Sequence, residues 1–248
     1  MEQSLLYSGL SCYVLAAVMC LFSRRALLPI MMLGSTLHAI ALIQGWLDSG
    51  HGPYLGLYDS LSSNLWTQIF LLSLLASFHR PLRKALPYGL ALALPFTLWL
   101  AVISPEQHHL PPTYATNWFY LHLYAGKLAY ALLFIAVTLS IYEIRSKQSI
   151  SSTTRQTMLL AFICHSLLLL AGGNWAYLAW GKYWDWNTLE IWSLITWMGF
   201  GLYFHQPSVS HFKWLPGQHA YIAIIYLFAI LGFYGIPFLS KATHQGLV

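Results

Sequence analysis

Eight apolar runs follow one another along this chain, at approximately 4–23, 27–47, 60–78, 86–104, 117–143, 157–179, 188–205 and 218–240. Each is long enough, or nearly so, to cross about 30 Å of hydrocarbon as a helix. A chain built this way has little choice of fold. Inside lipid the backbone must satisfy its own hydrogen bonds, and a helix does so within one segment. Charged residues make up only 8% of the sequence, against about 25% in soluble domains, which is too few to solvate a globular surface. The expectation is an all-α integral membrane protein of about eight transmembrane helices, forming a single polytopic membrane domain over residues 1–248. The polar links reach only about a dozen residues, so no separate soluble domain fits between the runs. No internal repeat or low-complexity stretch is visible. Pro87 and Pro95 are expected to bend the fourth helix.

The cations alternate along the chain. Arg24 and Arg25 follow the first run; Arg80, Arg83 and Lys84 the third; Arg145, Lys147 and Arg155 the fifth; Lys213 the seventh. Only Lys182 and Lys241 fall in the links of the other side, so nine cations stand against two. The positive-inside rule places the nine in the cytoplasm. Both termini and the turn at 181–190 then face outward, to the periplasm of a bacterium. The net charge of +5 is accordingly a topology signal and not a nucleic-acid surface. Cys12, Cys20 and Cys164 sit inside apolar runs, and no CxxC or CxxCH occurs. A thiol–disulfide relay and covalently held haem are not expected of this chain. The N-terminus lacks a basic n-region, and its first run reads as a retained helix.

Residues 172–205 are unusually aromatic: six of the eleven tryptophans fall between Trp175 and Trp197. Trp180, Trp184 and Trp186 crowd one short polar turn. An aromatic belt at the lipid–water boundary is the ordinary explanation of membrane tryptophans. Belts spread over many helix ends, however, and this cluster occupies one. A dense aromatic shelf at the membrane surface suits a flat apolar ligand such as a porphyrin, given axial ligands nearby. Eleven histidines are available. Topology puts His79, His211 and His219 near the cytoplasmic face and His51, His108 and His109 in outward links. His122 lies at the outer end of the fifth run, and His244 just beyond the eighth, both level with the tryptophan turn. Neutral imidazole is a good axial ligand of haem iron; spacing alone favours two unrelated interfacial histidines over a ligand pair, and their shared level with the tryptophan turn raises the ligand reading. His38, His165 and His205 lie within the apolar runs, where an ionisable group normally faces a partner or a cavity. His38 and His205 read either as helix-to-helix links or as ligands of a buried haem b, and His165 as a link. Lys127 can snorkel outward from the fifth run or pair with a propionate.

These residues resemble the WWD domain of the haem-handling proteins of cytochrome c maturation, of the CcsA, CcmC and CcmF kind. That family's core reads approximately WGxYWxWDPKExWxLIxW, followed by YLH. Here it stands as WGKYWDWNTLEIWSLITW over residues 180–197, then YFH over 203–205. WFYLHLYAGKLAY, with His122 and Tyr130, is similar to the family's WLxxHV motif and its following tyrosine. THQG at 243–246 matches the family's histidine after the last helix, and His205 its intramembrane histidine. The N-terminal half, around His38, is similar to the shorter CcsA-like and HemX-like relatives.

The resemblance implies a protein of cytochrome c biogenesis. It would bind non-covalent haem b and present it at the outer face for covalent attachment to a CxxCH apocytochrome c. His122 and His244 would ligate the iron, and Trp180, Trp184, Trp186 and Trp192 would carry the porphyrin. His205, with His38 as its partner, would form an inner haem site. A CcsB-like membrane partner is implied, as is a location in the bacterial inner membrane, a thylakoid membrane being the other setting. The protein would be the haem-presenting subunit of a cytochrome c synthase; no residue reads as a nucleophile with a partnered base. Other readings are a haem-binding regulator or scaffold of the HemX type, and an electron-transfer subunit holding b haems. One departure bears on this choice: the family's Asp-Pro-Lys-Glu is Asn187-Thr188-Leu189-Glu190 here. Asn187 is still expected to cap the helix that follows.

Overall fold

The fold is known from a computed structural model, which describes residues 2–105, 109–205 and 217–235. Eight α-helices occur among them: α1 (Glu2–Met19), α2 (Leu27–Ser49), α3 (Gly56–Phe78), α4 (Arg80–Val102), α5 (Asn117–Arg145), α6 (Ser152–Trp180), α7 (Thr188–His205) and α8 (Gly217–Ile230). A 3-10 turn, Pro112–Tyr114, precedes α5, and a π turn, Leu231–Gly235, extends α8. Each of the eight apolar runs corresponds to one of the eight helices, with starts displaced by a few residues; the end of the eighth run lies outside the described residues. Six are long and apolar enough to cross a membrane: α2 to α6, and α8 with its π turn. The other two, α1 and α7, have 18 residues each and reach about 27 Å at the helical rise.

Local chemistry sets the helix ends. Thr116 accepts the Phe119 N–H at the start of α5, and Ser151 accepts the Thr154 N–H at the start of α6. Each hydroxyl satisfies one of the donors that a helix start leaves without an intrahelical partner. α4 is continuous through Pro87 and Pro95.

The helices form two compact units, α1–α4 and α5–α8. In the first, α3 is the polar inner helix, burying Ser60, Ser62, Ser63, Asn64, Gln68 and Ser73. Several of its hydroxyls bond back along the helix: Ser63 to the Asp59 carbonyl, Thr67 to that of Ser63, and Ser73 to that of Ile69, all at 2.7 Å. A hydroxyl satisfied within its own helix can be buried without leaving a bare donor. In the second unit α5 is central, packed on α6 and α8. Its 131–140 stretch is buried almost throughout, including Phe134, Ile135 and Leu139. The end of this unit where α5 leads into α6 is tied by Glu143 of α5. Its Oε1 accepts from Thr154 Oγ1 at 2.7 Å and from the Ser151 N–H at 3.3 Å, at the N-terminus of α6.

Candidate functional site

The aromatic turn is built by two residues with left-handed backbone. Gly181 ends α6 at φ +74°, donating its N–H to the Tyr177 carbonyl at 2.8 Å. This is the ordinary use of glycine at a helix C-terminus. Trp186 has φ +57°, which an L side chain this large adopts only when its surroundings impose it. Glu190 imposes it. Its Oε2 accepts the Asp185 N–H at 2.8 Å and the Asn187 N–H at 3.3 Å, one on each side of Trp186. Asn187 Oδ1 in return accepts the Glu190 N–H at 3.0 Å. This reciprocal pair is a capping box at the start of α7. The expected cap is therefore present, and asparagine makes it as the family's aspartate could. Lys182 pairs with Asp185 at 2.8 Å, and that hydrogen bond holds its ammonium pKa above the ordinary lysine value. Both side chains are exposed, so the pair adds little to stability.

The turn leaves two of its three indoles exposed. Trp186 is 68% exposed and Trp180 51%. Trp184 meets Trp186 edge to face at 5.9 Å, while its own Nε1 is buried without an acceptor among the described residues. A buried indole N–H normally finds a partner, so Trp184 holds a donor ready for an incoming acceptor. Tyr177 and Tyr183 stack at 4.4 Å beside it. Trp192 stands apart: it lies on α7 and packs against Phe228 of α8 at 6.0 Å.

His122 reaches this region from α5. Its Nδ1 lies 2.9 Å from the Leu168 carbonyl of α6. A carbonyl only accepts, so Nδ1 carries the proton and Nε2 the lone pair. This is the arrangement by which proteins orient a metal-binding imidazole. The ring also rests against Trp175, centroids 5.7 Å apart. Trp175 is a buried hub that the sequence reading did not single out. It is 4% exposed, donates Nε1–H to the Thr113 carbonyl at 2.9 Å, and touches Tyr114, Phe119 and Trp180, each at 5.0 Å. Its signal in the sequence was position alone: Leu168, Gly172 and Trp175 share one face of a helix at i, i+4 and i+7. Trp175 thus connects His122 to Trp180.

The remaining histidines separate by their nitrogens. His205, exposed at the end of α7, bonds through Nδ1 to the Gly201 carbonyl at 2.8 Å, which again leaves the lone pair on Nε2. His38 is fully buried in the first unit. Its Nδ1 meets Tyr13 Oη at 3.3 Å and its Nε2 meets Ser62 Oγ at 2.9 Å, so it links α1, α2 and α3. His165 donates Nε2–H to the Ser193 carbonyl at 3.0 Å, linking α6 and α7. His51, expected in a solvated link, is 7% exposed, its Nδ1 bonded to the Gly52 carbonyl and its ring against Tyr54. His244 lies outside the described residues.

Fold and site together define a helical membrane protein with an aromatic turn beside an oriented histidine. Residues 54–244 match the cytochrome C assembly protein family, and the chain belongs to that family. It is 27% identical over 86% of its length to the cytochrome c biogenesis protein CcsA of Guillardia theta, of which the match covers 84%. It is 28% identical to the CcsA proteins of Chlamydomonas reinhardtii and Prochlorococcus marinus, over 88% and 84% of this chain and 68% and 79% of theirs. Among solved structures, a cytochrome c heme lyase CcmF has the same fold, with a TM-score of 0.77, at 18% identity; the match covers 94% of this chain and 46% of that one. The protein is a CcsA-like component of cytochrome c biogenesis.

Proposed function

We propose that this protein binds haem at its outer face and presents it to a CxxCH apocytochrome c. The observation that carries this reading is the tautomer of His122. With Nδ1 committed to the Leu168 carbonyl, Nε2 is the nitrogen that can bind iron. The aromatic turn supports it: exposed Trp180 and Trp186 offer faces for a porphyrin, and the buried Trp184 N–H offers a donor to a ligand oxygen. His244, by family resemblance, supplies the second axial ligand. Trp192 would complete the shelf from α7.

Haem is here the cargo, and its vinyl groups undergo the chemistry: each cysteine thiol adds across a vinyl C=C, forming one C–S and one C–H bond. The chain's part is to ligate, to orient, and to leave the vinyl edge open. Asn187 caps α7 in place of the family's aspartate, so that departure leaves the turn intact and does not favour a scaffold without ligation activity.

Of the two histidines read as inner ligands, His205 carries its lone pair on Nε2. His38 would need to release Tyr13 or Ser62 to reach iron. We further assign eight membrane crossings with both termini outside, in the bacterial inner membrane, and a CcsB-like partner that completes the synthase.

The test is the optical spectrum of detergent-purified protein. A reduced b-type spectrum is expected for the wild type, weakened or shifted in His122→Ala and in His244→Ala. Cells lacking the gene should lose holocytochrome c. Haem that survives both substitutions but disappears with His38→Ala or His205→Ala would replace this reading with a buried electron-transfer haem.

A further inference from the structure

We infer that Gly172 is a positioning residue for iron ligation: its bare Cα is the notch that lets His122 reach the Leu168 carbonyl. This rests on the outer-site reading above. A Cβ added at Gly172 would stand 2.6 Å from His122 Nδ1 and 3.0 Å from Cε1. The first distance is shorter than real Cβ contacts allow and the second is tight, so the imidazole ring itself must shift. That shift moves Nδ1 relative to the Leu168 carbonyl, 2.9 Å away, on which its tautomer depends. Its other flank is closed by Trp175, itself anchored to the Thr113 carbonyl. Carbonyl, notch and indole come from residues 168, 172 and 175, one face of α6. One turn inward the fit is reciprocal, for a Cβ at Gly126 of α5 would stand 2.7 Å from Leu168 Cδ1. That atom is the free end of a flexible chain and can rotate away. The two glycines therefore separate helix packing from histidine placement.

The experiment compares wild type, Gly172→Ala, Gly126→Ala and His122→Ala in detergent, by haem content, reduced spectrum and response to added imidazole. Gly172→Ala is expected to hold haem roughly tenfold more weakly, as loss of a partner that orients a metal ligand typically does. Its spectrum should lose the six-coordinate form and regain it with imidazole. Gly126→Ala should keep the wild-type spectrum even where its melting temperature falls. A thermally weakened Gly172→Ala with wild-type haem content and spectrum would overturn the inference while leaving the outer site standing. A wild-type spectrum in His122→Ala would overturn both. Should Gly172→Ala not accumulate, Nδ-methylhistidine at position 122 removes the same N–H without touching the glycine. The same spectral shift is then expected, and an unchanged spectrum would again count against the role.

Discussion

At the scale of single residues, the aromatic turn holds one side chain where a tryptophan is unfavourable. An L residue in the left-handed region costs about 1–2 kcal/mol relative to its usual conformation. Trp186 bears that cost at φ +57°, and its indole is the most exposed of the turn's tryptophans that the sequence singled out. Comparing Trp186→Gly with Trp186→Ala isolates the strain, since both remove the indole. The glycine variant should be more stable by roughly 0.5–1 kcal/mol, once glycine's greater freedom in the unfolded chain is deducted. Equal midpoints in thermal unfolding would show that the turn relaxes on truncation. Both variants should hold less haem. Glu190 enforces the conformation, and Glu190→Ala exposes two backbone donors and opens the capping box. It should lower stability by about 1–2 kcal/mol. Asn187→Asp, which restores the family residue, should lie within about 0.5 kcal/mol of wild type, because both side chains cap equally well. A large gain from Asn187→Asp would mean that the aspartate does more than cap.

At the scale of helices, the junction of α5 and α6 in the second unit depends on one carboxylate. Glu143 is 3% exposed and ties the C-terminal turn of α5 to the N-terminus of α6, where a negative charge also meets the positive end of the helix dipole. Its Oε2 has no hydrogen-bond partner among the described residues, and His219 Nδ1 stands 3.9 Å away. Glu143→Ala removes both bonds to α6 and should cost about 2–3 kcal/mol. Glu143→Gln keeps an acceptor oxygen for Thr154 and should lose much less. Similar losses in the two, measured as melting temperatures in detergent, would show that charge and not hydrogen bonding holds the joint. None of this was visible in the sequence, where Glu143 is one carboxylate at the end of an apolar run. The helices themselves were legible, since apolar length and the intervening cations mark them directly. So were the tryptophan turn and the cap at Asn187, because their partners lie within a few residues. The contacts that define the site were not. His122 meets Leu168 across 46 positions of sequence, and His38 meets Ser62 across 24. Periodicity gives the face of a helix but not which residue of a neighbouring helix lies opposite.

At the scale of the whole molecule, the function proposed here depends on which side of the membrane the aromatic turn faces. If the turn were cytoplasmic, haem held on it could not meet an apocytochrome matured outside. Nine cations against two favour the outward turn. The helix count agrees with it only if α1 and α7 also cross, and these are the two that are not among the six long and apolar enough to span. α7 is the sharper case, since it links the aromatic turn to His205. If α7 lay along the surface, Lys182 and His205 would be on the same side, and there would be no inner site distinct from the outer one. Lys182→Cys, Ser149→Cys and Gln206→Cys, each in a chain whose three native cysteines are replaced, decide the matter with a membrane-impermeant maleimide on intact spheroplasts. Position 182 should label without lysis, and positions 149 and 206 only after it. Labelling at both 182 and 206 in intact cells would remove α7 from the membrane and His205 from any inner haem site. Labelling at 149 but not at 182 would invert the whole protein and end the case for haem presentation on the outer face.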